Sequence, residues 1–343
     1  GNRTDQRLYR VWGQRSGSDL DWWYSTMLEP KGYGIEIPRW PMEVEYDPVD
    51  GEWFPQFCNQ QEFTVPEGQG AGMNGGFPGA IGELEAYAKE HGAEFFYEHR
   101  GRQLLRGGQP NGTEGRVDGV IAETSDGGYV KFTAKKGVIL ATGGYDANPE
   151  LMEAWTRPED YASSSWWNPG WGTTGDGHLM GIKAGAQMDP CPQPVMNFRW
   201  GNPDSFYDAR TWNAVYFALM VNGDGKRFVR EDLPFQSVSN AQNAQPDFGK
   251  SCWQVFDDTM FEGMEDAVEE FKQKGWLFEG STPEELAAAC GVDPQGLADT
   301  IARYNGFFEA GVDEDFGRDL AGTIPFTGTR FFALTTNSCV LAT

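Results

Sequence analysis

Residues 135–150 read KKGVILATGGYDANPE. An apolar run, residues 138–141, enters Thr142-Gly143-Gly144, a turn with almost no side-chain bulk, before polarity resumes at Tyr145 and Asp146. The pattern predicts a buried strand running into a glycine turn. In α/β domains ligands lie beyond the carboxyl ends of parallel strands, and glycine permits close approach of the backbone to them. Taken alone, the pattern fits any buried strand that ends in a turn.

A second constellation follows about thirty residues on, at residues 172–186: GTTGDGHLMGIKAGA. Gly172, Gly175 and Gly177 bracket a lone carboxylate, Asp176, and Leu179, Met180, Ile182 and Lys183 then begin a helix with Gly185 near its end. A helix N-terminus offers free N–H groups and a partial positive charge, and Asp176 beside it is able to accept hydrogen bonds from ribityl or ribose hydroxyls. A simple Asp N-cap is the competing reading.

The chain has 343 residues, enough for two domains. Its 13 Trp and 23 Phe argue against disorder. Fifty-one acidic against 27 basic residues leave a formal charge of -24, which repels a phosphate backbone and an anionic membrane surface, so nucleic acid is not an expected partner. No apolar run approaches the ~18 residues a membrane span needs, so no membrane insertion is expected. The five cysteines, Cys58, Cys191, Cys252, Cys290 and Cys339, include no C-x-x-C pair, and there are only three His. No metal site is expected, and the cysteines read mostly as reduced core residues, Cys339 beside Val340-Leu341 most plainly. The compartment stays open.

Along the chain, Leu8, Val11 and Trp12 predict an amphipathic helix that breaks at Ser16-Gly17-Ser18 and resumes through Leu20, Trp23 and Tyr24. A Gly-rich loop follows, then a helix over residues 80–91 stopped by Gly92. A strand is expected over 94–97, and VDGVIAE, SDGG and YVKFTA predict a β-meander leading directly into the opening strand. Residues 217–229 (FALMVNGDGKRFV) read as a hairpin. STPEELAAACG predicts a helix capped by Ser281 or Thr282 and stopped by Gly291, and DPQGLADTIARYNGFFEAG a second with Leu297, Ile301 and Tyr304 on one face.

The ordered pair ILATGGYDANPELM and TTGDGHLMGIKAGA resembles the FAD-dependent flavoprotein subunits of the fumarate reductase and succinate dehydrogenase superfamily, which includes soluble fumarate reductases and ketosteroid dehydrogenases. The resemblance continues through VNGDGKRFVRED, residues 281–319 and RFFALTTNSCVLAT, and so covers nearly the whole chain. It implies an α/β fold with an α+β cap: a partial Rossmann-like FAD-binding domain over residues 1–200, an inserted capping domain over 201–325 and a return to the first domain at 326–343. It implies FAD as cofactor, held by Gly101, Ala141, Thr142, Gly143, Gly144, Thr174, Gly175, Asp176 and Gly177, with the adenine near Arg100-Gly101. Relatives begin with a strand and a G-x-G-x-x-G turn that GNRTDQRLYRVWGQRSG lacks, and continue past the final LAT. The expectation is a fragment of a longer bacterial flavoprotein.

Soluble fumarate reductases grip a dicarboxylate with His and Arg side chains. Alignment to them puts Asn197 and Ala342 at two histidine positions and Phe235 at the catalytic arginine, the position of a tyrosine in ketosteroid dehydrogenases. A dicarboxylate needs fixed charges or forked donors to offset its desolvation, so a bulkier, weakly charged substrate is expected instead. Arg199, Tyr207, Arg210 and Arg230 are the candidates for acid/base work, while Arg227 and Glu231 read as a brace within the cap. The aromatic stretches at residues 21–25 and 163–171 are candidates for a flat apolar pocket and equally for core packing. The resemblance implies an oxidoreductase acting on CH–CH or C=C bonds of a steroid-like or aryl enone or acrylate, fed by an electron-donor protein or haem domain. The alternatives are a non-catalytic flavin-binding or electron-relay homologue and a glycan- or peptide-binding module.

Overall fold

Helix α1 (Gln6–Trp23) starts at Asp5, whose carboxylate accepts the Arg7 amide at 2.9 Å. The break expected at residues 16–18 does not occur: the helix runs through Gly17, whose cost of about 1 kcal/mol relative to Ala is too small to interrupt it. Leu8, Val11 and Trp12 are exposed, and the apolar core begins later, with Met27, Leu28, Tyr33, Phe63 and Ala80. Strands β1 (Gly34–Glu36) and β2 (Glu62–Thr64) pair antiparallel, and α2 (Phe77–Glu90) ends before Gly92 at φ 88°. Residues 94–97 form no strand, because no ladder partner meets them among the described residues; Phe95, Phe96 and Tyr97 are exposed. The computed structural model describes residues 5–36, 62–66, 76–163, 172–201, 218–260 and 267–343. It forms two units, Gly1–Tyr97, just described, and Glu98–Thr343.

The second unit opens with the expected meander. Strands β3 (His99–Arg106), β4 (Gln109–Pro110), β5 (Val117–Thr124) and β6 (Tyr129–Thr133) form one antiparallel sheet in the order β4-β3-β5-β6. The strand expected over 138–141 is a correction: this segment runs without ladder partners among the described residues. A buried parallel strand needs neighbours on its edges. Here Val138 packs on Leu104, Met180 and Ala184 while Ile139 stands 92% exposed. Helices α3 (Pro149–Trp155), α4 (Pro158–Ser163) and α5 (Asp176–Lys183) follow.

The remaining elements are β7 (Met196–Gly201), β8 (Leu219–Val221), α6 (Phe235–Asn243), β9 (Trp253–Asp257), α7 (Val268–Gln273), β10 (Leu277–Gly280), α8 (Pro283–Cys290), α9 (Pro294–Ala310), β11 (Phe331–Thr335) and β12 (Asn337–Ala342). Strands β10-β11-β9-β8 make an antiparallel sheet. After β8 the chain turns back through Gly225 at φ 70°, so that Val221 pairs with Arg227 as a hairpin requires. Thr282 caps α8 and Gly291 ends it, and Asp293 caps α9. Leu297, Ile301, Tyr304 and Phe307 of α9 join Val255, Phe256, Phe332 and Leu334 in one core.

Beside that core lies a buried ionic cluster. The Arg227 guanidinium contacts Glu231 at 2.7 Å and Asp313 at 2.8 Å, and Arg318 reaches Glu231 at 3.2 Å. Arg227 also lies over the rings of Phe316 and Tyr304. A buried cation is tolerated only with such partners, and here two carboxylates and two ring faces supply them. Strand β12 pairs antiparallel with β7, placing Val340 opposite Asn197 and Ala342 opposite Met196. Among the cysteines, Cys252 is buried, Cys290 half-buried and Cys191 exposed; Cys58 and the Cys339 side chain lie outside the described residues.

Candidate functional site

The two glycine stretches meet. The Gly175 amide donates to the Gly144 carbonyl at 3.1 Å, the Ala147 amide to Thr173 O at 3.0 Å, and the Asn148 side chain to Thr174 O at 3.1 Å. Gly143 and Gly175 have φ of 72° and 78°, the left-handed region that favours glycine. Gly177 permits the close approach of α5 to the turn, since a Cβ there would stand 1.9 Å from Thr142 Oγ1. Between them opens a cavity of ≈ 380 Å³, lined by Thr142, Gly143, Gly177, His178, Gly181 and Gln187 among others. Ala141 also lines it.

Asp176, the carboxylate between the glycines, is paired with a distant cation. Arg100 on β3 donates through Nε to Asp176 Oδ2 at 2.8 Å and through a terminal nitrogen to Thr174 Oγ1 at 3.2 Å. That pairing raises the Arg100 pKa further, its hydrogen bond to Asp176 being the main cause. Gly101, next along β3, faces Met180 of α5, where a Cβ would be 3.4 Å from the thioether methyl. The charged link from Arg100 to Asp176, beside the expected adenine position, was not foreseen from the sequence.

The end of β12 closes on the same turn. Thr343 Oγ1 accepts the Tyr145 amide at 2.6 Å, and a Cβ on Gly144 would stand 2.2 Å from that oxygen. Asp146 accepts from Thr173 Oγ1 at 2.9 Å. The buried Tyr145 ring meets Trp155 and His178 edge-on, at 5.0 and 5.5 Å between centroids. Its hydroxyl has no hydrogen-bond partner among the described residues, and its pKa is pushed up to about 12, by burial first and then by the charges of Cys191 and Asp146. His178 Nδ1 is likewise buried without a partner.

Two of the substrate-pocket candidates, Asn197 and Ala342, lie on the paired strands β7 and β12, and the third, Phe235, begins α6. Asn197 on β7 is 1% exposed, its backbone N–H donating to Gln236 Oε1 at 2.8 Å. Gln236 is the neighbour of the half-buried Phe235 at the start of α6. Ala342 on β12 pairs with Met196, the residue before Asn197. Arg199 lies two residues further on β7; its side chain, and the whole of Tyr207 and Arg210, lie outside the described residues. Arg230 is engaged in a forked ion pair with Asp232, at 2.5 and 2.8 Å, which raises its pKa. The stretch 164–171 lies outside the described residues, and at 21–25 Trp22 is exposed while Trp23 packs on Phe63 in the first unit.

Sequence reasoning also missed Asp160. Its carboxylate is 0% exposed, takes the Arg157 guanidinium at 2.7 and 2.9 Å, and accepts from Asn197 Nδ2 at 3.1 Å and Asn243 Nδ2 at 3.3 Å. The spacing of three between Arg157, just before α4, and Asp160 within it was the local signal.

The FAD binding domain family matches residues 59–340 of the chain. A probable fumarate reductase, Ifc3, of Shewanella frigidimarina is 32% identical over 243 residues, covering 70% of this chain and 39% of that protein. A 4-oxocyclohex-2-ene-1-carboxylate 5-dehydrogenase of Sinomonas cyclohexanicum is 32% identical over 224 residues, covering 59% of this chain and 37% of that protein. The open conformation of a flavocytochrome c3 fumarate reductase superposes with a TM-score of 0.56 at 29% identity, covering 82% of this chain and 46% of the other. The chain thus spans about two-fifths of the curated relatives' length. The residues fit a dinucleotide cofactor at the 142–144 turn: three side-chain-free positions, Gly143, Gly177 and Gly181, line the cavity, and His178 adds a buried nitrogen unpartnered among the described residues.

Proposed function

The chain belongs to the FAD binding domain family, and from that premise we propose an FAD-dependent oxidoreductase acting on a CH–CH or activated C=C bond of a bulky, weakly charged enone or acrylate. The observation that carries it is the meeting of the 142–144 turn and α5 with the end of β12, whose partner strand β7 bears Asn197. Thr142, Gly143, Gly144, Gly175 and Gly177 would hold FAD, with Ala141, Thr174 and Gly101 beside them and Asp176 fixed by Arg100. FAD held there supplies hydride transfer to or from carbon. The half-buried aromatic Phe235 and the neutral Asn197 and Ala342 provide no charge to offset a dicarboxylate, which supports a less charged substrate. Arg199, Tyr207 and Arg210 are the proposed proton carriers; Arg230, occupied by Asp232, is a weaker one.

The sheet of β8, β9, β10 and β11 with α8 and α9 is proposed as the cap, extending the expected 201–325 to residue 335. Because β11 hydrogen-bonds into that sheet, the proposed return to the FAD-binding domain follows Thr335 rather than beginning at 326. The electron donor is proposed to be a haem domain or separate protein.

The test is stopped-flow reoxidation of the photoreduced full-length protein. Reoxidation by a cyclic enone or aryl acrylate under anaerobic conditions is expected; a flavin that stays reduced across the panel overturns the proposal. The occupied Arg230 and the aromatic Phe235 favour a second reading, an electron relay without substrate chemistry, which predicts that second outcome together with rapid reoxidation by a haem protein.

A further inference from the structure

Two buried carboxamides are oriented by a single carboxylate. Arg157 forks onto both oxygens of Asp160, so that this carboxylate offers acceptors only. Asn197 and Asn243 approach the same oxygen, Oδ1, at 3.1 and 3.3 Å. A carboxamide facing an acceptor must present its NH2 group, so the orientation of both follows from the chemistry of Asp160. Each carbonyl oxygen is thereby turned away. Asn197 Oδ1 and Asn243 Oδ1 are both buried and lack a hydrogen-bond partner among the described residues, on residues only 1% and 5% exposed. Ser338 Oγ on β12, the strand paired with β7, is a third buried polar atom without a partner.

Buried carbonyl oxygens left unpaired keep the full cost of their desolvation, and a concentration of them on adjoining elements marks a place where a donor is expected. We infer that Asn197 and Asn243, held by Asp160, form a hydrogen-bond acceptor site that selects an uncharged hydroxyl on the substrate and rejects a carboxylate there. This rests on the proposed oxidoreductase reading for its substrate and deepens it. A hydroxyl donates to Asn Oδ1 and has lone pairs left for Ser338. A carboxylate brings only acceptors against two carbonyl oxygens, and the neighbouring Arg157 guanidinium is already engaged by Asp160. Asp160 acts through the amides, so it is a positioning residue, while Asn197 and Asn243 determine specificity.

Three probes of one shape separate the possibilities: cyclohex-2-en-1-one carrying hydroxymethyl, methyl or carboxylate at C4. Dissociation constants for the full-length protein, read by ligand-observed NMR, are expected to favour the alcohol over the methyl compound and to favour it by about tenfold or more over the carboxylate. Asn197→Leu is expected to bring the alcohol and methyl probes level. Asp160→Asn, which frees the amides to turn, is expected to narrow the gap between alcohol and carboxylate. Equal or tighter binding of the carboxylate to the unaltered protein, an alcohol preference untouched by Asn197→Leu, or binding of none of the three overturns the inference. Reoxidation of the reduced flavin by the methyl probe reports separately on the oxidoreductase reading. Turnover without alcohol preference sinks only the acceptor site; alcohol preference without turnover sinks only the activity.

Discussion

At the scale of single residues, the site is defined by missing side chains as much as by present ones. Gly177 is the sharpest case, because α5 sits so close to Thr142 that a methyl group has no room. Gly177→Ala is expected to lower stability by about 1–3 kcal/mol through overpacking and to weaken FAD binding, measured by thermal unfolding and by flavin-fluorescence titration of the full-length protein. An unchanged melting temperature would show that the turn gives way freely. The glycines, Thr142 and Asp176 were all legible in the linear order of residues. Arg100, which holds Asp176 from 76 positions away, was not, because nothing local to either residue encodes their approach. Asp160 was hidden for the same reason: two of its partners, Asn197 and Asn243, come from β7 and α6.

At the scale of elements, local rules carried the helices and hairpins where tertiary context did not intervene. Helix α8 begins and ends at the residues whose capping predicts it, Thr282 and Gly291, and α9 keeps Leu297, Ile301 and Tyr304 on its buried face as expected. The hairpin after β8 needed more than its turn: Arg227 and Glu231, read as a brace, tie it to Asp313 and Arg318 beyond α9. Arg227→Met removes the cation between two buried carboxylates and leaves Asp313 without its guanidinium, an expected loss of about 3–5 kcal/mol in the urea unfolding midpoint. A loss below 1 kcal/mol would mean that the cluster relaxes or admits water. The strands failed where they depended on neighbours. Residues 138–141 have strand composition, yet a strand is a property of a pair, and no described segment hydrogen-bonds to them.

At the scale of the whole molecule, charge sets the response to acid. Burial raises the Asp313 pKa, but the amides of Arg318 and Phe316 and the Arg227 guanidinium outweigh it, so its folded value lies below the ordinary 3.8. Glu279, hydrogen-bonded by Arg330 and Lys272, and Asp232, whose burial is offset by Arg230, are depressed as well. A depressed carboxylate contributes stability that is fully present above its unfolded pKa and is lost as pH falls through the folded one. The urea midpoint is therefore expected to decline from about pH 4 downward, and less steeply in Asp313→Asn; a midpoint level between pH 4 and 3 would contradict this. By itself the sequence determined the family and the cofactor, because glycine turns, caps and spacing are short-range facts written in order. Only the tertiary structure decided that Asp176 is paired, that β11 joins the sheet of β8–β10, and that two carboxamides turn their oxygens away from Asp160. Those outcomes depend on groups far apart in the chain competing for the same few hydrogen bonds, and burial decides which of them pair.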